Sequence, residues 1–373
     1  MNRRQFLAAL GAGAGAALSG GRALAGQTPA PSRGAVSAAR TYKNWSWLRG
    51  RMPPAVSVDA WRRTLAGMRA AGIDAVLASG DAAFYRAAVP AAAAEGLELH
   101  AWLFTMMRGE QAAAHPEWYA VSRSGASTAV KPPYVDYYHF MCPSRDDVRR
   151  YLVSVVRELL QVEGLGSIHL DYIRYPDVIL PVALWPKYHL VQDREYPDFD
   201  FCYCDVCRSR FKRQSGIDPH DIPDPPAHAA WLQYRYDTIT EVVRELAAEA
   251  RSHGKQTTAA VFPTPAIARR LVRQDWTRWN VDAVLPMVYH AFYKEDVAWI
   301  ERATREGVDA LGGRIPLYSG LYVPDLAPAA LAEAAARAIA GGASGVSVFE
   351  ASQLTPEHWR ALTPVLTRGR SGR

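Results

Sequence analysis

The sequence predicts an α/β fold, a single (β/α)8 TIM barrel. Along most of the chain, short apolar runs alternate with longer amphipathic stretches, which is the pattern of parallel strands joined by helices. There are eight such apolar runs, the number of strands that closes a TIM barrel. Most of them begin roughly 25–35 residues apart, a normal length for one strand with its helix. No linker or shift in composition divides the chain between the first run and the last.

The individual elements follow from the same periodicity. The predicted strands are 42–48, 73–79, 97–104, 167–171, 257–262, 281–289, 315–321 and 345–350. Amphipathic helices are predicted over 57–71, 228–252, 327–340 and 356–366. A further helix, after Pro143, is predicted to present Val148, Leu152, Val155 and Leu159 on one face.

Two intervals between strands are much longer than the others. The third and fourth strands begin roughly 70 residues apart, and the fourth and fifth roughly 90, against the 25–35 of an ordinary unit. The added segments, 115–142 and 172–226, are rich in aromatic residues, Pro and Asp. We therefore expect long loops after strands 3 and 4, on the face of the barrel where TIM-barrel enzymes bind substrate.

The first residues indicate export. Arg3 and Arg4 precede an apolar run rich in Gly and Ala that extends to Leu18, and small residues suited to cleavage follow at 23–25. The run is too short and too rich in glycine to span a membrane, and no later segment approaches a span. The predicted division is a twin-arginine signal peptide (1–25), a flexible lead-in (26–40), the barrel (41–366) and a disordered tail (367–373). The mature protein is then periplasmic or secreted.

Charge and composition narrow the range of partners. The net charge is +6, the Lys and Arg residues are scattered, and no basic run alternates with aromatic residues as a nucleic-acid groove requires. The chain has 11 Trp and 18 Tyr, whose ring faces suit sugar rings. The alternative is that most of these rings fill a large core.

The most informative stretch is Ser-Ile-His-Leu-Asp-Tyr-Ile-Arg-Tyr-Pro-Asp, residues 167–177. It places Asp171 at the end of the fourth predicted strand, which in a TIM barrel faces the active site. Burying a carboxylate is costly unless a partner compensates its charge, and Arg174 is the nearest candidate in sequence. The residues therefore support a catalytic Asp171, with a structural Asp171–Arg174 ion pair as the alternative.

Three motifs in order resemble those of a known family. They are the runs beginning Cys-Pro-Ser-Arg-Asp-Asp at Cys142, Gly-Ser-Ile-His-Leu-Asp-Tyr at Gly166 and Phe-Cys-Tyr-Cys-Asp-Val-Cys at Phe201. The chain resembles the glycosyl-hydrolase-like TIM barrels of bacterial envelope proteins, which include family-10-type glycosidases and uncharacterised lipoproteins. The resemblance covers nearly all of 41–366. It implies an exported glycoside hydrolase acting on a poly- or oligosaccharide, with Asp171 as nucleophile or stabiliser, because related clans place the nucleophile at the end of strand four.

Glycoside hydrolysis also needs a second carboxyl group to protonate the leaving oxygen. Predicted strands five and six end without a carboxylate, so the acid positions of the related clans do not carry over. Glu350, at the end of strand eight, is the first candidate for the acid, and Asp81, after strand two, is the second. The alternative for Glu350 is that it only positions Arg174 or a hydroxyl group.

Other side chains are expected around the mouth of the barrel. Residues two apart on a strand share a face, so His169 joins Asp171 and His100 joins Trp102. Aromatic rings can stack on a pyranose, while His, Asn and Arg can bond its hydroxyl groups. The expected substrate-binding set is His169, Arg174, Tyr172, Tyr289, His290, Trp102, His100, Trp45, Asn44 and Asp81.

The four cysteines are Cys142, Cys202, Cys204 and Cys207. Three of them fall within six residues, and the loops that carry all four share one face of the predicted barrel. We expect the four to converge on one site, as ligands of a structural zinc ion or as disulfides. Such a site would cross-link the long loop. It would not be catalytic, because a zinc ion with four sulfur ligands has no open coordination position for a substrate or water.

Two other functions remain open at this point. His169 and Asp171, with His100, His290 and Glu350, could ligate the ion of a metal-dependent hydrolase. A barrel that has lost its acid could instead bind carbohydrate without cleaving it. The glycosidase interpretation needs no cofactor for catalysis.

Overall fold

Eight parallel strands form one sheet in the computed structural model, which describes residues 42–49 and 57–371. The strands lie side by side in the order β6-β5-β4-β3-β2-β1-β8-β7. They are β1 (Trp45–Leu48), β2 (Ala75–Ala78), β3 (Glu98–Phe104), β4 (Ser167–Asp171), β5 (Gln256–Val261), β6 (Ala283–Pro286), β7 (Ser319–Tyr322) and β8 (Val346–Phe349).

The edges of this sheet meet and close the barrel. Strands β6 and β7 come together through two parallel bridges, Val284 with Leu317 and Met287 with Gly320. A Cβ atom on Gly320 would lie 2.6 Å from the carbonyl oxygen of Pro286, so only glycine permits this close approach. The predicted (β/α)8 barrel is therefore confirmed.

Helices follow the strands and cover the outside of the barrel. They are α1 (Val58–Ala70), α2 (Ala82–Ala94), α3 (Asp146–Leu160), α4 (Asp205–Ser215), α5 (Ala229–Ser252), α6 (Pro265–Val272), α7 (Trp299–Leu311), α8 (Pro328–Ala340) and α9 (Pro356–Ser371). In α3 the apolar side chains of Val148, Leu152, Val156 and Leu159 are buried at helical spacing. None of the helices in the described part of the chain is long and apolar enough to cross a membrane.

Most predicted boundaries are close to those observed, and two differ in an informative way. Strand β6 ends at Pro286, not at Tyr289, because Val288 and Tyr289 donate to the carbonyl groups two residues before them and turn the chain. Helix α9 continues to Ser371, five residues into the segment predicted to be a disordered tail, and Thr367 bonds the carbonyl of Thr363 within it. The predicted signal peptide and the whole of the predicted lead-in lie outside the described residues.

The two long loops predicted after strands 3 and 4 are present and pack against each other. Antiparallel bridges join Met107 to Phe140 within the loop after β3, and Ser122 to Phe201 between the two loops. The amide of Tyr203 also donates to the carbonyl oxygen of Val121, at 2.8 Å. Both loops follow carboxyl ends of strands and therefore lie at the face of the barrel where TIM-barrel enzymes bind substrate.

Candidate active site

A cavity of about 410 Å³ opens among the carboxyl ends of the strands. Its charged lining residues are Arg49, Asp171, Arg174, Asp177 and Lys187. Most of the remaining wall is aromatic, formed by Trp47, Trp102, Tyr134, Tyr137, Tyr138, Tyr172, Tyr188, Phe262, Tyr289, Phe292, Tyr293, Tyr322 and Phe349. Five of the residues expected from the sequence thus share this cavity: Asp171, Tyr172, Arg174, Trp102 and Tyr289.

Asp171 is the last residue of β4 and is only 9% exposed. Its Oδ2 accepts a hydrogen bond from the indole Nε1 of Trp102 at 2.8 Å, and its Oδ1 accepts from the backbone N–H of Tyr172 at 2.6 Å. Burial raises the pKa of Asp171 above its usual value, while these two donors and the charges of Arg174 and Arg49 oppose the rise. The carboxylate is therefore held in one orientation among the aromatic side chains of the wall.

Arg174 is not the hydrogen-bonded partner of Asp171. Its Nη1 donates to Oδ2 of Asp177 at 2.9 Å, and its Nη2 donates to the hydroxyl of Tyr138 at 3.1 Å. The side chains of Arg174 and Asp177 are 6% and 4% exposed. The alternative of an Asp171–Arg174 ion pair is thus replaced by an Arg174–Asp177 pair, because the turn after β4 brings Asp177 back against the guanidinium group.

The guanidinium of Arg174 is also enclosed by aromatic rings. Those of Tyr138, Phe140, Tyr172 and Phe262 have centroids 5.1–5.9 Å from its central carbon. The charge of Asp177 raises the pKa of Arg174 against the effect of burial. Arg174 therefore stays charged and joins the loop after β3, which carries Tyr138, to the loop after β4.

Tyr172 and Tyr289 flank the carboxylate. Tyr172 has φ of 49°, a left-handed conformation that turns the chain sharply at the end of β4. Burial and the charge of Asp171 raise the pKa of Tyr172 and of Tyr289, which keeps both hydroxyl groups protonated. The ring of Tyr289 contacts those of Tyr322 and Phe349.

Glu350 follows directly after the cavity-lining Phe349 but is not itself part of the wall. It is 6% exposed, and its Oε1 accepts a hydrogen bond from Ser352 at 2.9 Å. Its Oε2 is buried and has no hydrogen-bond partner among the described residues. The side chain is therefore next to the cavity but outside it.

Asp81 has a structural role at the start of α2. Its Oδ1 accepts a hydrogen bond from the backbone N–H of Phe84 at 2.8 Å, which caps the helix. It lines a neighbouring groove, whose wall shares Arg49, Trp102 and Tyr172 with the cavity around Asp171. Asp81 is thus not in the cavity that contains Asp171.

Three of the expected substrate-binding residues lie at the opposite end of the barrel. Asn44 bonds the carbonyl groups of Gly72 and Leu366 and accepts from the amide of Val346. His100 bonds Ser167 and Glu98, and its ring lies 4.6 Å from that of Trp45.

Position along the strand explains why Asn44, Trp45 and His100 do not lie at the cavity. A strand rises about 3.3 Å per residue, so His100 lies roughly 13 Å below Phe104. Asn44 and Trp45 stand at the beginning of β1 for the same reason. Alternation predicts which side chains point into the barrel, whereas distance from the end of the strand sets their height.

The other two expected histidines are buried and do not line the cavity. His169 is fully buried and bonds Thr258 through Nδ1 at 2.8 Å, and burial lowers its pKa to about 3. Its ring packs against Trp47, beneath the cavity. Burial also lowers the pKa of His290, which stands in the turn after β6 near the charge of Asp325. Both are therefore neutral residues of the scaffold.

The structure also brings together residues that the sequence did not single out. Asp177 ends the motif around Asp171, and its place in the cavity depends on the turn after β4. Tyr134, Tyr137 and Tyr138 reach the cavity from the loop after β3. The clustering of these tyrosines is visible in the sequence and was the only available signal.

The four cysteines converge, as expected. All are buried, and their sulfur atoms lie within 4.8 Å of one another. Cys142 comes from the loop after β3, whereas Cys202, Cys204 and Cys207 come from the end of the loop after β4 and the start of α4. Among the described residues this is the only group of three or more His, Cys, Asp or Glu side chains that could hold a metal ion.

Residues 88–314 match the model of a protein family described as "Putative glycosyl hydrolase domain". None of the curated protein sequences matches this chain significantly.

The fold is similar to those of solved glycoside hydrolases. The catalytic domain of β-amylase from Paenibacillus polymyxa has a TM-score of 0.63 and 10% identity, over 88% of this chain and 99% of that one. The glycoside hydrolase domain of PgaB (BpsB) from Bordetella bronchiseptica has a TM-score of 0.63 and 12% identity, over 87% and 98%. The α-L-fucosidase isoenzyme 2 from Paenibacillus thiaminolyticus has a TM-score of 0.57 and 13% identity, over 88% of this chain and 49% of that one. At these identities the similarity shows the shared fold.

Proposed function

This chain belongs to the family described as "Putative glycosyl hydrolase domain", whose model matches more than half of it, and we propose that it is a glycoside hydrolase acting on a poly- or oligosaccharide. The observation that carries the proposal is the cavity itself. A single carboxylate at the end of β4, Asp171, is held among aromatic rings at the catalytic face of the barrel. Family membership supports the reaction class, and the cavity supports Asp171 as the centre of the proposed site.

The wall of the cavity suits a sugar. Its aromatic rings offer apolar faces for the C–H faces of a pyranose, and tyrosine hydroxyls with Arg49 and Lys187 offer donors for its oxygens. Its volume of about 410 Å³ falls within the usual range for small-ligand sites. Arg49 stacks over Trp102 and Phe349, 5.2 Å from each ring centroid, at the entrance to Asp171.

We assign Asp171 the role of nucleophile or electrostatic stabiliser at the anomeric carbon. The two hydrogen bonds to Trp102 and to the amide of Tyr172 fix the carboxylate before substrate binds. In the reaction the bond from the anomeric carbon to the leaving oxygen breaks, water supplies the new hydroxyl group, and the leaving oxygen takes a proton. A preorganised anion beside the anomeric carbon lowers the energy of the positive charge that develops there.

For the acid we consider two carboxyl groups, one in the cavity wall and one on the residue that follows the cavity-lining Phe349. Asp177 lies in the wall, but its Oδ2 accepts from both Arg174 and Tyr138, so it is committed to a buried ion pair. Glu350 has one carboxylate oxygen without a partner and is joined to the cavity-lining Phe349. We assign the acid to Glu350, whose side chain turns toward the leaving oxygen in the substrate complex, because catalytic contacts often form only there.

Glu350→Gln should lower kcat/KM by about 10²–10⁴-fold for substrates with poor leaving groups. Activated aryl glycosides, which need little protonation, should lose much less. Comparing kcat/KM for the two substrate classes measures this difference.

Asp177→Asn is the matched control for that comparison. Because Asp177 belongs to the ion pair and not to the proposed acid, its replacement should change kcat/KM equally for both substrate classes. A selective loss in Asp177→Asn, together with equal losses in Glu350→Gln, would transfer the role of acid to Asp177.

The broad test of the proposal is hydrolysis itself. The purified mature protein should release reducing ends from at least one member of a panel of bacterial envelope and plant polysaccharides. Asp171→Asn serves as the blank, since contaminating glycosidases would act equally in both samples.

A second candidate function is carbohydrate binding without cleavage. The observation that favours it is the position of Glu350, the residue proposed as the acid, outside the cavity wall that contains Asp171. Glycans of the panel would then bind, as seen by calorimetry or by quenching of tryptophan fluorescence, and no reducing ends would appear.

A metal-dependent hydrolase is not supported by the placement of its expected ligands. His100 bonds Ser167 and Glu98, while His169 bonds Thr258. His290 is buried in the turn after β6. In our proposal catalysis therefore uses no cofactor, and the cysteine cluster is structural, because four sulfur ligands leave a metal no position for substrate.

We also propose that residues 1–25 direct export through the twin-arginine pathway, to the periplasm or the medium. Arg3 and Arg4 before the apolar run support this. Replacing both with lysine should retain the protein in the cytoplasm, which cell fractionation would measure. Arg22→Lys is the control and should be exported normally; an unchanged distribution of the double variant would contradict the proposal.

A further inference from the structure

We propose that Cys142, Cys202, Cys204 and Cys207 bind one structural zinc ion, which ties the loop after β3 to the loop after β4. The inference is independent of the proposed glycosidase activity, since it rests on the sulfur atoms and their surroundings. The spacing of the cysteines allows either a zinc site or disulfides, and we infer the zinc site.

The distances between the sulfur atoms fit a tetrahedral ion. A zinc–sulfur bond of about 2.3 Å places tetrahedral sulfur ligands about 3.8 Å from one another. The Sγ of Cys142 lies 3.5 Å from the Sγ of Cys204 and 3.5 Å from that of Cys207, and all four sulfurs lie within 4.8 Å of one another. The observed separations therefore bracket the tetrahedral value.

The same distances do not favour disulfides. A disulfide requires two sulfurs about 2.05 Å apart. Here Cys142 is equally close to two different cysteines, so it has no single preferred partner. A common centre explains this arrangement, whereas two separate bonds do not.

The surroundings of the cluster suit a negatively charged centre. Four thiolates around Zn²⁺ carry a net charge of −2, which must be compensated in a buried site. The backbone N–H of Val121 points to the Sγ of Cys202 at 3.3 Å. Cys204 is the N-cap of α4, so the positive end of that helix faces the cluster.

Arg145 supplies the full positive charge beside the cluster. Its charge interacts with Cys204, Cys142 and Cys202, and it also bonds the exposed Asp205. Its Nε is buried and has no hydrogen-bond partner among the described residues. A guanidinium that interacts with three of the four cysteines and has an unused buried donor is the environment expected around a thiolate-bound ion.

The ion would hold together the two loops that form one side of the cavity. Cys142 ends the loop that carries Tyr134 and Tyr138, and Cys202 ends the loop that begins with Arg174 and Asp177. A cross-link at this point fixes the two loops far from the barrel strands that otherwise support them. The site is therefore structural and acts on the cavity from a distance.

The test begins with the mature protein, purified without chelator or metal-affinity resin. Elemental analysis should find about one zinc per chain. After unfolding in chelator without reductant, all four cysteines should react as free thiols. Absence of zinc together with loss of thiols would show disulfides, and one iron per chain would show a different ion; either result would overturn the proposal.

Variants then test the ligands. Cys207→Ser should lose the zinc and lower the Tm by on the order of 10 °C. Asp205→Ala lies in the same motif but is exposed, and it should keep the zinc. Because Cys207→Ser can fail to fold, cobalt exchanged into the wild-type protein provides a second measurement. It should give the visible bands of a tetrahedral tetrathiolate, and octahedral bands would contradict the assignment.

Discussion

Asp171→Asn should lower the turnover of a glycan substrate by at least about 10³-fold while the protein remains folded. The loss follows from the proposed role of Asp171, because an amide can neither attack nor stabilise a positively charged anomeric carbon. Initial rates with the best polysaccharide of the panel would measure it. Asp147→Asn, an exposed carboxylate on α3 that pairs with Arg150, is the control and should retain full activity.

The stability of Asp171→Asn should depend on pH in a defined direction. Burial raises the pKa of Asp171 in the folded protein, so its contribution to stability is fully present below the ordinary value near 3.8 and is lost as pH rises through the raised value. An Asn at this position does not ionise, so the variant does not lose stability as the pH rises. The amide can accept only one of the two hydrogen bonds, so either the indole of Trp102 or the backbone N–H of Tyr172 is left without an acceptor at every pH. The Tm of the variant relative to wild type should therefore improve from pH 3 toward pH 7.

The pH profile of the wild-type activity provides a further check. If Asp171 must be ionised to act, the acid limb of kcat/KM should fall at a pH above that of an ordinary aspartate, because burial raises its pKa. An Asp171→Asn protein with normal activity would refute the assignment. An inactive variant that still binds glycan would support it.

Replacing Arg174 should have the largest effect on stability of any single change near the cavity. Arg174→Met removes one partner of a buried ion pair and leaves the Asp177 carboxylate without compensation. We expect the free energy of unfolding to fall by about 3–5 kcal/mol, as is typical when one member of such a pair is removed. Chemical denaturation followed by tryptophan fluorescence would measure the change.

Two further variants separate charge from packing. The double variant Arg174→Met/Asp177→Leu removes both charges and should be more stable than Arg174→Met alone, because it leaves no buried charge unpaired. Arg150→Met breaks an exposed pair with Asp147 and should hardly move the unfolding midpoint. A double variant less stable than Arg174→Met would contradict the role of the ion pair.

Local patterns in the sequence were sufficient for the fold and for the position of Asp171. Alternation within 167–171 predicted β4 with the bounds that the structure shows, because side chains on a strand alternate between two environments whatever the rest of the chain does. Eight such runs, alternating with amphipathic stretches, leave few other ways to bury their apolar faces. The spacing of the cysteines likewise predicted a common site, since three of them are too close in sequence to lie far apart.

The tertiary structure decided which groups face one another across the long loops. Arg174 bonds Asp177 and Tyr138, not Asp171, and no periodicity describes the turns that produce this choice. Glu350 was predicted to end the eighth strand, but it follows β8, and its side chain lies outside the cavity. A residue beyond the end of a strand is oriented by the turn that follows and by neighbours distant in sequence. The sequence by itself therefore determined the barrel and the end of it at which Asp171 lies, and only the packing of the loops determined the partners of each charge.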